Sequence, residues 1–203
     1  MTPKGLIFDC DGTLVDTMPL HLRAWQVVAR RHGFVFPENR FYALGGVPSR
    51  QIAEILSREQ GICLDTCKVA TEKAEEYMAY TDRIKPIEPI VRIVQEHFGK
   101  IPMAVATGGS RYITQHVLAQ LDLLRFFDAV VTNEDVVNQK PAPDIFLEAA
   151  RRIGVPPQLC RAYEDTDLGL QAIRAAGMEA VDVRQLLRQQ RSGDTIAQGA
   201  RKH

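Results

Sequence analysis

The amino-acid sequence predicts an α/β fold: a Rossmann-like sheet of parallel strands with a helical block inserted after the first strand. Three observations carry this. Short apolar runs recur along the chain, and most of them stop abruptly at polar residues. Stretches with apolar residues at i, i+3, i+4 and i+7 lie between them. One long segment, 18–85, breaks the alternation with helical periodicity alone. Strand and helix in turn give a parallel sheet covered on both faces.

The first strand, Leu6-Ile7-Phe8, runs into Asp9-Cys10-Asp11-Gly12, where glycine lets the chain turn without steric cost. Residues i and i+2 of a strand share a face. Asp9 and Asp11 are therefore expected to lean toward one point at the strand's C-terminal end, the ligand-binding edge of an open α/β sheet. Two crowded carboxylates call for a cation, and oxygen-only ligation points to magnesium. The inserted block offers helices over Leu20–Arg31, Arg50–Gln60 and Thr66–Thr81, with room for a fourth. Its return, Ile84-Lys85-Pro86-Ile87-Glu88-Pro89, is proline-rich, as a boundary would be. The later strands are Ile101–Ala106, Ala129–Val131, Arg161–Tyr163 and Ala180–Val183. Helices over Arg111–Leu121, Asp144–Ile153 and Leu168–Ala176 separate them, with Gly154, Pro156 and Gly177 as stops. The expected division is a core of 1–17 and 86–187, an insert of 18–85, and a polar tail of 188–203 that loses periodicity and frays.

The 203 residues suffice for one sizeable core plus a small insert. Apolar content of 45% and charged content of 25% are ordinary for a soluble domain. Basic and acidic residues balance, so no global field favours nucleic acid or an anionic membrane. With no long apolar stretch for a signal peptide or a membrane span, a cytoplasmic location is expected. Oligomeric state leaves no mark. Cys10, Cys63, Cys67 and Cys160 are scattered. Cys63 and Cys67 lack the second cluster a zinc site needs, and all four read as reduced, packing thiols, with Cys10 a spacer between the aspartates.

Several expected strand ends carry chemistry. Asp9 and Asp11 follow the first strand, Thr107-Gly108-Gly109 the second and Glu164-Asp165 the fourth, while Lys140 precedes Pro141-Ala142-Pro143-Asp144 at a helix start. In a parallel sheet these ends share one edge. Acid pair, hydroxyl, ammonium and acid pair together suit phosphoryl transfer. A carboxylate is a competent nucleophile once a cation offsets its repulsion from phosphate. Lys140 adds charge, and the N–H groups of Gly108 and Gly109, taken as beginning a helix, could hold phosphate oxygens. Asp11 could protonate the leaving oxygen and later deprotonate water.

These four motifs, in this order, resemble the haloacid dehalogenase superfamily of aspartyl-phosphate enzymes over roughly residues 4–185. The resemblance implies Asp9 as nucleophile and Asp11 as general acid/base, with Thr107 and Lys140 on the transferring phosphoryl group. It implies Mg2+ held by the Asp9 carboxylate, the Asp11 main-chain carbonyl and Asp165, with Glu164 a direct or water-mediated ligand. Glu-Asp in the fourth motif is similar to the branch related to β-phosphoglucomutase, in which the insert is a cap that selects substrate. His21-Leu22-Arg23-Ala24-Trp25 resembles the first cap helix, which implies that His21 meets a sugar hydroxyl; a solvated helix histidine is the plainer alternative. Trp25 is expected in the cap's own core. Gly45-Gly46-Val47-Pro48-Ser49-Arg50 resembles the substrate loop, with Arg50 on a distal phosphate or carboxylate, and Lys73 matches a sugar-contacting lysine or else a solvated one. The whole chain most resembles compact bacterial phosphatases acting on fructose 1-phosphate and 6-phosphogluconate. A β-phosphoglucomutase using the same aspartates, and a catalytically silent binding protein, are the competing expectations.

Overall fold

A computed structural model of the protein describes residues 2–189. Its sheet has five parallel strands in the order β3-β2-β1-β4-β5. They are β1 (Gly5–Phe8), β2 (Met103–Ala106), β3 (Ala129–Val131), β4 (Cys160–Glu164) and β5 (Glu179–Asp182). All five expected strands are present. The second starts later than expected because Pro102 has no N–H to give the ladder; only its carbonyl pairs, accepting from Leu6 N–H at 3.1 Å. The chain leaves β1 toward β2 on one side and returns through β4 on the other, so the crevice beyond β1 is the fold's switch point.

Strand alternation sorts the core into two layers. Leu6, Phe8, Met103 and Val105 share one cluster with Val91 and Val94 of α5 (Glu88–His97) and Val117 and Leu118 of α6 (Arg111–Gln120). Ile7, Ala104 and Ala106 face the other way, with Ile145, Phe146 and Ala149 of α7 (Asp144–Arg152) and Ala172 and Ile173 of α8 (Asp167–Ala175). Each fully buried Leu, Ile or Phe contributes about 1.5–3 kcal/mol of transfer free energy. α5 was not among the expected helices, because its start coincides with the proline-rich boundary. Pro89 sits in its first turn, where the missing N–H costs nothing.

Between β1 and α5 lies the helical block: α1 (Met18–His32), α2 (Glu38–Ala43), α3 (Ser49–Glu59) and α4 (Thr66–Met78). It keeps a cluster of its own, in which Trp25 meets Phe36 edge-on at 5.3 Å and shares space with Phe41, Ile52 and Leu56. Two crossing segments tie the block to the sheet: Asp16 N–H donates to Lys85 O at 2.9 Å and Ile87 N–H to Leu14 O at 2.8 Å. Only Cys10 and Cys160 pack inside; Cys63 and Cys67 are exposed, which corrects the expectation of four packing thiols. Residues 183–189 are helical, with Leu186 and Leu187 against the core, so the tail's first residues are ordered where fraying was expected. The remainder of that expected tail, 190–203, lies outside the described residues. Among the described residues no helix is long and apolar enough to cross a membrane.

Candidate active site

Beyond β1, the chain has little choice. Asp9 N–H continues the ladder by donating to Tyr163 O at 3.0 Å, which holds its carboxylate at the sheet edge. Cys10 O then accepts from the N–H groups of Thr13, Leu14 and Val15, closing a tight turn around Gly12, whose φ is 83°. Gly12 cannot be exchanged: a Cβ there would lie 2.3 Å from Asp165 Oδ2. Asp165 follows β4 and accepts from Thr13 Oγ1 at 3.0 Å. Its neighbour Glu164 is fully buried against α8, and a Cβ on Gly169 would come within 2.1 Å of its carboxyl carbon.

One ammonium joins these groups. Lys140 Nζ donates to Asp9 Oδ1 at 2.6 Å and to Glu164 Oε2 at 2.7 Å. The other oxygen of Glu164 accepts from Thr166 N–H at 2.9 Å and Thr166 Oγ1 at 2.7 Å. Oxygens of Asp9, Glu164 and Asp165 lie within 4.8 Å of one another. Burial and the charge of Glu164 raise the Asp9 carboxyl well above the usual range, against the pull of Lys140. Burial and Glu164 likewise push Asp165 up to about 7. Burial opposes the charge on Lys140, but Asp9 and Glu164 outweigh it and hold the ammonium protonated.

Asp11 is not in the group formed by the carboxylates of Asp9, Glu164 and Asp165. β1 has ended by then, and Asp11 Oδ1 accepts from Thr17 Oγ1 at 2.7 Å and meets His21 Nε2 at 3.1 Å. Asp9 and Asp11 nevertheless border one cavity of about 120 Å³. Burial alone would raise Asp11; His21, Thr17 and Lys73 outweigh it and hold the carboxyl at about 2. His21 stacks on Tyr77 at 4.1 Å, and its Nδ1 lies 2.7 Å from Lys73 Nζ. A lysine can only donate, so Nδ1 accepts and Nε2–H donates to Asp11. Burial and Lys73 both lower the imidazole's pKa, which favours this neutral form. Neither His21 nor Lys73 is a solvated helix residue.

Thr107 is buried after β2, and its Oγ1 accepts from Gly109 N–H at 3.0 Å. Gly108 and Gly109 border the cavity. They precede α6 instead of beginning it, because the chain stays extended at Ser110 before turning helical at Arg111. That corrects the expected pair of helix-end donors: the Gly109 N–H is already taken by Thr107. Arg50 is not brought into the cavity. It stands in the first turn of α3, exposed, with Nε 3.1 Å from Glu54 Oε1 one helical turn on. Trp25 does both jobs, packing the block's core and bordering the cavity. The supporting roles of Thr13, Thr17, Thr166 and Tyr77 were not read from the sequence. Thr166 left a signal: a threonine three residues before Gly169 at a helix start is an N-cap pattern, and its Oγ1 accepts from Gly169 N–H at 3.1 Å.

Known proteins share this frame. The chain is 44% identical over 183 residues, covering 90% of this chain and 97% of the relative, to fructose-1-phosphate phosphatase YqaB of Escherichia coli (strain K12). It is 32% identical over 182 residues to a phosphorylated carbohydrates phosphatase of Thermotoga maritima, covering 88% of this chain and 83% of that one. Among solved structures, β-phosphoglucomutase from Clostridium difficile superposes with a TM-score of 0.79 at 26% identity, over 89% of this chain and 84% of the other. The family match spans residues 3–177, taking in all four motifs and the block between them: the chain belongs to the haloacid dehalogenase-like hydrolase family.

Proposed function

We propose that this protein is a magnesium-dependent phosphatase hydrolysing a small phosphorylated sugar or sugar acid through a phosphoaspartate on Asp9. The observation that carries the reading is the bridge of Lys140 between Asp9 and Glu164, with Asp165 beside them. Two buried carboxylates share one ammonium there with a third, partly buried, beside them, and burial with the charge of Glu164 raises Asp9 and Asp165. Such a set of hard oxygen donors fits a small divalent ion. The Asp9 carboxylate, the Asp11 main-chain carbonyl and Asp165 would hold it, with Glu164 beside them as a direct or water-mediated ligand. Bound there, magnesium offsets the repulsion between Asp9 and the phosphoryl oxygens.

The protein's own groups divide the remaining work. Lys140 and Thr107, both bordering the cavity, grip the phosphoryl group. An Asp9 oxygen attacks phosphorus while the bond to the substrate oxygen breaks, and the departing alkoxide takes a proton from Asp11, which binds one when the phosphate's negative charge enters the cavity beside it and raises its pKa. In the second step Asp11, again a carboxylate, removes a proton from the water that cleaves the acyl phosphate. His21 and Thr17 hold Asp11 at the leaving side, and Lys73 holds His21. Residues 18–85 act as a cap over a core of 1–17 and 86–187. The names of the relatives, fructose-1-phosphate phosphatase and phosphorylated carbohydrates phosphatase, support the substrate class.

Release of inorganic phosphate from a panel of sugar phosphates, with and without magnesium, tests the proposal. Metal-dependent turnover of several sugar monophosphates is expected. Conversion of β-glucose 1-phosphate to glucose 6-phosphate with trace bisphosphate and no stoichiometric phosphate release would overturn it in favour of a mutase.

A further inference from the structure

On the floor of the cavity, at the sheet edge, Thr107 and Lys140 come from two separate segments, one after β2 and one before α7. Lys140 is held here by Asp9 and Glu164. As phosphorus bonds to Asp9, the lysine must turn from carboxylates toward phosphoryl oxygens. Its hold on Asp9 then weakens, and the turn that bears it needs another anchor. Thr107 sits in a loop with the same need, since its hydroxyl bonds to Gly109 N–H within that loop.

Both anchors run through one short turn, Asn133–Asp135, which follows β3. On one side it meets the Thr107 loop. Asn133 N–H donates to Gly109 O at 3.2 Å, Glu134 Oε1 accepts from Arg111 N–H at 3.0 Å, and Asp135 Oδ1 lies 2.7 Å from Arg111 Nη2. On the other side it meets the Lys140 turn. Gln139 Nε2 donates to Asn133 O at 3.0 Å, and Gln139 O accepts from Ala142 N–H at 2.9 Å, across Lys140 and Pro141. The N–H and C=O of Asn133 therefore join the two segments. The turn is itself held closed: Asp135 Oδ2 accepts from Thr132 N–H at 2.8 Å, and Arg152 Nη2 donates to Asp135 Oδ1 at 2.6 Å. Resting on the phosphatase reading above, we infer that Gln139 is a positioning residue. Through the main chain of Asn133 it sets the spacing between Lys140 and Thr107 around the transferring phosphoryl group. A misplacement of about 1 Å in such a group costs on the order of 10²-fold in rate.

Gln139→Met tests this, because it keeps an unbranched side chain and removes the N–H donors without adding charge. With the full chain and magnesium, kcat/KM is expected to fall about 10–100-fold while the melting temperature stays near that of the wild type. The factor should be similar for fructose 1-phosphate and p-nitrophenyl phosphate, since the change acts at the phosphoryl end the two substrates share. The inhibition constant of orthovanadate, which mimics five-coordinate phosphorus, should rise in parallel. Gln139→Lys, which restores a donor, is expected to recover most of the loss. Wild-type kcat/KM and vanadate inhibition in Gln139→Met overturn the inference and leave the phosphatase reading standing. A fall confined to one of the two substrates does the same, as does a Gln139→Lys variant no better than Gln139→Met. Absence of phosphate release from either ester by the wild-type chain overturns the phosphatase reading and the inference with it.

Discussion

Two buried lysines face the same cavity from opposite sides, and they have opposite electrostatic fates. Lys140, on the core side, lies between Asp9 and Glu164, and these carboxylates outweigh its burial and strengthen its hold on the proton. Lys73, on the block side, is buried against a neutral imidazole and the ring of Tyr77, with its ammonium 5.2 Å from the ring centroid. Burial dominates there and lowers its pKa to about 8, with Asp11 only partly offsetting. The core thus surrounds its cation with charge, whereas the block surrounds its cation with hydrocarbon and dipoles. The lesson is that one cavity can hold a cation compensated by carboxylates on one side and a poorly compensated cation on the other.

The comparison can be broken at several points. Asp9→Asn removes the nucleophile from the charged side; kcat should fall at least about 10⁴-fold while the far-UV circular dichroism stays native. Normal hydrolysis by that variant would displace Asp9 from its role. Lys140→Met leaves two buried carboxylates without their cation, and urea unfolding at pH 7 should show a loss of about 3–5 kcal/mol. Because the pKa of Lys140 is raised on folding, its contribution is fully present below the 10.5 of an ordinary lysine and fades as pH rises past it. Trp25→Ala empties the centre of the block, and the same assay should register about 3 kcal/mol.

Lys73→Met sharpens the contrast with a smaller effect of opposite sign. At pH 7 the native wild type carries the desolvation cost of a charged Lys73, so the variant should be more stable by on the order of 1–3 kcal/mol. The sign follows from the depressed pKa. The cost is full below about pH 8 and vanishes above 10.5, where the lysine is neutral in both folded and unfolded chains. The difference in melting temperature should therefore shrink as pH climbs through that window. If Lys73→Met destabilises at pH 7 as much as Lys140→Met does, the two walls are not as different as their surroundings indicate.

Much of this was legible before any coordinates. The strands and six of the helices announce themselves by apolar runs and periodicity. The four motifs name Asp9, Thr107, Lys140 and Glu164-Asp165, because a parallel sheet gathers strand ends whatever their distance in sequence. α5 escaped because a proline in a first turn reads locally like a break, and α2 because six residues are too short for a periodic signal. Arg50 was expected in the cavity from loop resemblance; the direction of its side chain depends on where α3 begins, and a neighbouring glutamate one turn away captures it.

What the sequence determined by itself was the chemistry of the floor: residue types at strand ends, which topology must bring together. What only the tertiary structure decided was direction and company. Asp11 takes Thr17 and His21 as partners, Lys73 sinks from a helix surface into hydrocarbon, and the basic side chains Arg50 of α3 and Arg111 of α6 find partners elsewhere. Such choices are settled by packing and by hydrogen bonds between residues up to 152 positions apart, as between Thr13 and Asp165, and no local pattern encodes them.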